Sequence, residues 1–378
     1  MMLSLIILCY KVTFSLTEQF TLEFSTVIWR HGDRTPIFNY PTNPNSGSWK
    51  LGLGQLTTIG MRQQQELGQF LRNRYKDFLS QYYFRNETII VSSQSDRLIQ
   101  SASVVMSSLY PPKEWQVFDK NLLWQPVPIH ISDATTVYID MPGDICNAWL
   151  EENENILQST IYQNKLKEAQ NMLDFLTLKT GKKMSLRDLE NLADTFICEA
   201  AHNMTHPDWF KQINFKKMLE FAEFEMSRPF LTQKANVILG GPLLYKIRHL
   251  LMQMTQNISK VPKFVAFSGH DSNIISITML LGVYNHIMPS YASTLLFEVY
   301  TNSRLGKFLK LSYRNESNSD PYVLMLPLCN LQELCPLELF LEKTRHLVVE
   351  NFLTSCNGIS EINATHFIND DYVIQLIL

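Results

Sequence analysis

Phe24-Ser25-Thr26-Val27-Ile28-Trp29-Arg30-His31-Gly32-Asp33-Arg34 runs from a short apolar segment straight into charged and polar residues. Such a run, bounded by a polar turn, reads as a buried strand. An amphipathic stretch over residues 57–78 follows, with Leu67, Leu71, Tyr75 and Phe78 on one helical face. The arrangement recurs twice. Thr88-Ile89-Ile90-Val91 leads through residues 92–97 to Leu98, Ala102, Val105 and Leu109 at helical spacing. Lys263-Phe264-Val265-Ala266-Phe267 leads through Ser268-Gly269-His270-Asp271 to the apolar run 274–281. Strands alternating with helices predict an α/β fold, a mostly parallel central sheet flanked by helices. Ligand sites in such sheets gather where loops leave the carboxyl ends of the strands. That rule brings Arg30, His31, Arg34, Arg97, His270 and Asp271 to one crevice.

Residues 121–228 read differently. Pro126, Pro128 and Pro142 open the segment, and helical patterns over 155–178 and 186–201 follow with few strand signals. We expect a mostly α-helical cap inserted between two segments, 20–120 and 229–360, of the α/β domain, with 361–378 as a C-terminal tail. A length of 378 residues suits a large domain with such an insertion. Hydrophobic residues make up 45% and charged residues 18%, enough apolar surface for a real core. A net charge of −3 gives no overall bias toward nucleic acid or anionic membrane, so any basic site must be local.

The apolar N-terminus suits the core of a signal peptide over residues 1–16, with a buried first strand as the alternative. Sequons at Asn86, Asn203, Asn257, Asn315 and Asn363 add to the expectation of a glycosylated, exported protein. The apolar end of the tail is too short for a membrane anchor. Setting aside Cys9, five cysteines remain, so at least one thiol is expected free. Cys329 and Cys335 are spaced to close a small loop, and they lack the neighbours of a metal site.

Two arginines flank His31. Guanidinium groups match phosphate oxygens in bidentate fashion and stay charged at any working pH. A neutral imidazole beside them, held in one tautomer, can attack phosphorus, and fixed arginines stabilise the charge on the transferring group. Arg97 falls at the start of a predicted helix, where free N–H groups already favour anions. Asp271 is a candidate general acid and His270 a candidate donor to phosphate; a plain helix N-cap at Asp271 or Ser272 is the competing reading. His31, Asp33, His270 and Asp271 are acceptable metal ligands, but the arginines around them would repel a cation, so no metal is expected.

Arg30-His31-Gly32-Asp33-Arg34-Thr35-Pro36 resembles the RHGxRxP signature of the histidine acid phosphatases, and Ser268-Gly269-His270-Asp271 resembles their His-Asp element. Gly54-Gln55-Leu56-Thr57, Glu66-Leu67-Gly68, Ser95-Asp96-Arg97 and Tyr291-Ala292-Ser293 also look like the prostatic and lysosomal members, over residues 22–356. The resemblance implies a phosphoglycerate-mutase-like fold and phosphomonoester hydrolysis with no cofactor. It implies His31 as the phosphorylated nucleophile, Asp271 as proton donor, and Arg30, Arg34, Arg97 and His270 as the phosphate pocket. It also implies a homodimer, small phosphomonoesters or phosphoproteins as substrates, and a secreted or lysosomal location. Cys146 with Cys356, and Cys329 with Cys335, keep counterparts of family disulfides. The partner expected for Cys198 is replaced by Thr294, which predicts a free Cys198. The alternatives are an inositol-phosphate phosphatase (a phytase) of the same superfamily, and a non-catalytic anion-binding homologue.

Overall fold

Among the described residues eight strands form one sheet: β1 (Thr21–Arg30), β2 (Thr88–Ser92), β3 (His130–Ile131), β4 (Phe264–Gly269), β5 (Thr294–Asn302), β6 (Gly306–Arg314), β7 (Tyr322–Val323) and β8 (Cys335–Pro336). Their order is β3-β2-β4-β1-β5-β6-β7, with β8 beside β6. The structure is a computed structural model and describes residues 20–131, 138–141, 143–256 and 261–357. The leader over 1–16, the sequons at Asn257 and Asn363 and the tail over 361–378 lie outside the described residues.

From β3 to β1 the sheet is parallel, with Ile28 opposite Phe267 and Arg30 opposite Gly269. Beyond β1 it turns antiparallel, through β5, β6 and their neighbours. The expected parallel sheet is therefore one half of a mixed sheet. The other half escaped the sequence reading because β5 is buried on both faces and carries no period-two alternation. It returns into β6 through a short turn in which Gly306 takes a φ of 92°.

Successive β1 side chains serve opposite faces. Phe24 and Ile28 join one core with Val265, Phe267, Leu295 and Phe297. Val27 and Trp29 join the other with Ala266 and Leu296. The second face is covered by α1 (Thr58–Arg74) and α2 (Asp96–Leu109), through Leu67, Leu71 and Tyr75 and through Ala102, Val105 and Leu109. Thr57 caps α1 by accepting from the Gly60 N–H.

The middle of the chain holds α3 (Asn147–Gln158), α4 (Thr160–Thr180), α5 (Leu186–Ala201) and α6 (Phe215–Ser227). The single helix expected over 155–178 is two, because Ser159 takes extended backbone and caps α4. Leu173, Leu176, Leu189, Leu192, Phe196 and Phe221 enclose a separate core, joined by Tyr40 from the loop after β1. The chain then forms α7 (Gln233–Thr255) and, after β4, α8 (Asp271–Leu280), which cover the first face. Both expected disulfides are present, Cys146–Cys356 and Cys329–Cys335, and Cys198 is free and buried. Among the described residues no helix is long and apolar enough to cross a membrane.

Candidate active site

β1, β4 and β2 run side by side and parallel, so the segments leaving their carboxyl ends meet. They carry Arg30 to Arg34, His270 with Asp271, and Arg97. Arg30, His31 and Arg34 are 3%, 2% and 6% exposed. Charges are rarely hidden this far from water unless something anionic meets them.

Gly32 sits where the first residues of α1 press on the loop. A Cβ there would fall 2.6 Å from the Gly60 Cα, and Gly60 in turn packs on the Asp33 backbone. Its φ is not left-handed. Gly32 is thus required by helix–loop contact.

His31 Nδ1 lies 2.8 Å from the Gly32 carbonyl oxygen. A carbonyl only accepts, so Nδ1 carries the ring proton and the Nε2 lone pair is left for chemistry. Burial, then Arg30, His270, Arg97 and Arg34, hold the His31 pKa well below 6.5. The imidazole is neutral and in a nucleophilic tautomer.

The three arginines are held differently. Arg30 pairs with Asp271 at 2.7 Å, donates to the Pro289 carbonyl at 2.5 Å and lies 4.3 Å above the Tyr291 ring. Arg34 makes a bidentate pair with Asp194 of α5, at 2.8 and 3.1 Å. Arg97 Nη2 lies 3.5 Å from His270 Nδ1. His270 in turn places Nε2 2.9 Å from Asp140. The Nε atoms of Arg30, Arg34 and Arg97 are all buried without a hydrogen-bond partner. Buried donors are nearly always satisfied, and three buried arginines with unpartnered N–H groups beside one imidazole suit an oxyanion.

α8 is capped by His270, whose backbone N–H donates to Asn273 Oδ1 at 2.7 Å. The cap expected at Asp271 or Ser272 falls one residue earlier, which frees the Asp271 carboxylate to meet Arg30. Burial works to raise the Asp271 pKa, but Arg30, His270, Arg34 and the Ser272 N–H outweigh it and the carboxyl is held below its usual range. Asp271 is therefore ionised when no anion shares Arg30.

All six residues named from the sequence meet here. Asp140, Asp194 and Tyr291's stacking on Arg30 were not read as site features. Asp140 lies in a Pro-rich stretch without periodicity, and Asp194 is one acid among many on an amphipathic helix. Among the described residues no three His, Cys, Asp or Glu side chains are grouped to hold a metal ion.

A buried histidine ringed by three arginines, with a carboxylate beside it, defines a phosphohydrolase-type site. Residues 21–325 match the family described as "Histidine phosphatase superfamily (branch 2)", and the chain belongs to it. It is 35% identical to the lysosomal acid phosphatase of Bos taurus over 347 residues, 90% of this chain and 81% of that one. It is 34% identical to the prostatic acid phosphatase of Homo sapiens, over 89% and 88% of the two chains. In fold it is similar to the Hafnia alvei phytase in complex with myo-inositol hexakis sulphate, at a TM-score of 0.65 and 19% identity over 89% and 98% of the chains. The Citrobacter braakii phytase is similar at a TM-score of 0.64 and 18% identity.

Proposed function

We propose that this acid phosphatase hydrolyses phosphomonoesters through a phosphohistidine on His31. The phosphoryl group sits among Arg30, Arg34, Arg97 and His270. Nε2 of His31 attacks phosphorus in line; the N–P bond forms as the bond to the leaving alcohol breaks. Asp271 gives its proton to the departing oxygen. Water then attacks phosphorus, the N–P bond breaks, phosphate leaves, and the water's proton returns to Asp271. The carboxyl is ionised at rest, but a phosphate drawing on Arg30 weakens the charge that holds it so, and its proton affinity rises. Acid pH favours that protonated form. The division into an α/β domain (20–120 and 229–360) and a cap (121–228) belongs to the same proposal.

The observation that carries this reading is the fixed tautomer of His31 within electrostatic reach of Arg30, Arg34 and Arg97. The acid phosphatase relatives support it. The chain's similarity to phytases is at the level of fold. The test is hydrolysis of p-nitrophenyl phosphate from pH 4 to 8 with excess EDTA, wild type beside His31→Ala. Activity at acid pH that survives chelation and vanishes in the variant supports the proposal. No turnover in folded wild type favours an anion-binding homologue, and loss with EDTA alone overturns the metal-free route.

Export fits the disulfides and the exposed sequons at Asn86 and Asn203; a secreted or lysosomal lumenal location follows, and small phosphomonoesters or phosphoproteins as substrates. A homodimer fits the exposed aromatic residues Trp115 and Phe118, 67% and 64% exposed.

A further inference from the structure

α5 presents one stripe to the catalytic loop, at a spacing of four residues. His202, at its carboxyl cap, bonds Asp33. Cys198 touches Arg34 and the Tyr291 hydroxyl, at 3.9 and 3.7 Å. Asp194 clamps Arg34. The next position along the stripe is Glu190.

Glu190 differs from the others in that its ion pair lies within its own helix. Its side chain is 12% exposed, and its nearest cation is Arg187, 3.7 Å away on the same helix and 62% exposed. A pair of that kind neutralises little. Asp194 on its own helix, Asp271 at the start of α8 and Glu225 on α6 all bear on Glu190 electrostatically, and each is acidic. Asp194 and Glu225 are themselves paired with arginines, and Asp271 with Arg30. Glu190 is thus the member of this group with the most exposed counter-charge, and it lies within electrostatic reach of Asp271.

We infer that Glu190 is a specificity-determining residue, whose carboxylate favours phosphomonoesters bearing an ammonium group on the alcohol part and disfavours those bearing further anions. The inference rests on the phosphatase reading above and names the substrate class of that site. A carboxylate beside a cationic phosphate seat makes a dipolar site: the seat takes the phosphate, and the carboxylate takes a cation a few bonds away. A polyanion such as inositol hexakisphosphate would place its other phosphates against that carboxylate. Burial, opposed by Arg187 and reinforced by Asp194, Asp271 and Glu225, pushes the Glu190 pKa up to about 7. The selection should therefore be present above neutrality and fade in acid, where the carboxyl is protonated and only shape discriminates.

The probes are O-phosphoethanolamine and phosphoglycolate, both two-carbon monoesters, one ending in an ammonium group and the other in a carboxylate. The ratio of their kcat/KM values cancels effects common to both. At pH 8 the wild type should favour phosphoethanolamine, and Glu190→Gln should lower the ratio about tenfold, the scale of one charge pair at intermediate dielectric. Between pH 8 and pH 5 the wild-type ratio should fall more than that of Glu190→Gln, since the variant retains only the titration of the substrates and the rest of the site. An equal fall in both, or a change of less than twofold on substitution at pH 8, overturns the inference. If Glu190→Gln does not fold, Glu190→Lys and a pH-matched comparison of inositol hexakisphosphate with p-nitrophenyl phosphate serve the same end: the lysine should raise relative turnover of the hexakisphosphate, and an unchanged or lower value counts against Glu190. A wild type that turns over p-nitrophenyl phosphate but fails these tests refutes only the role of Glu190. A wild type inactive on p-nitrophenyl phosphate refutes the phosphatase reading beneath it.

Discussion

His202 Nε2 lies 2.8 Å from Oδ2 of Asp33, so the carboxyl end of α5 is tied to the loop that carries His31. The same Asp33 oxygen accepts from the hydroxyl of Thr57, the N-cap of α1. One buried carboxylate thereby joins the loop, the helix behind it and the helix in front. It touches no reacting atom, and its work is to hold position.

His202→Ala should lower kcat about tenfold and leave KM within about twofold, because the loop loses its fixed aim while the arginines remain. His202→Gln, whose amide can still donate to Asp33, should recover most of the loss. A change confined to KM, or no rescue by glutamine, would show that the contact does not position the nucleophile.

Asp271→Asn should slow release of alkyl alcohols by about 10²–10⁴-fold, the usual worth of a general acid, and slow release of p-nitrophenolate far less. The comparison is kcat for a simple alkyl phosphate against kcat for p-nitrophenyl phosphate. Equal losses would remove Asp271 from the role of proton donor and leave it as the partner of Arg30.

Two site groups shift the pH dependence of stability in opposite directions. The folded pKa of His31 is below its unfolded value, so below pH 6.5 the unfolded chain binds a proton that the folded chain refuses, and stability is lost as pH falls. His31→Ala should therefore gain stability relative to wild type on going from pH 8 to pH 5. Glu190 is the reverse. Its folded pKa is about 7 against 4.5, so its unfavourable contribution grows as pH rises through that window. Glu190→Gln should gain on the order of 1–3 kcal/mol at pH 8 over its effect at pH 4.5, discounted for residual exposure. Urea unfolding at the three pH values reads both, and parallel pH profiles for wild type and variants would contradict the assignment.

Cys198 has no sulfur partner, is buried at 0% exposure, and its thiol is pushed up to about 12 by burial first and then by Asp194. The native protein should give no reaction at Cys198 with a thiol-specific disulfide reagent at pH 8. In guanidinium chloride that thiol should react, and peptide mapping should place the label on Cys198. Labelling of native Cys198 would mean that the α5 contact opens readily.

The strands and helices that carry the site were legible because each strand was an apolar run ending in a polar turn. Leu67, Leu71 and Tyr75, and Ala102, Val105 and Leu109, fell on helical spacing and are all buried. The antiparallel half was not legible, since β5 carries no alternation when both its faces are covered. Within the site, the residues of the two motifs were visible as unusual combinations of charge and glycine. The residues that hold them were not. Asp194, Asp140 and His202 act only through distant partners, at separations of 130 to 169 residues, and no local pattern marks such a pairing. Gly32 likewise owes its place to Gly60, 28 positions along the chain.

The central claim is that phosphate passes through His31. Wild-type protein mixed with substrate and quenched in base, where phosphohistidine survives, can be digested and mapped by mass spectrometry. The account predicts a phosphoryl group on the peptide containing His31, at Nε2, and none on that peptide in His31→Ala. A phosphoryl group found only on another residue, or full turnover by His31→Ala, would contradict it.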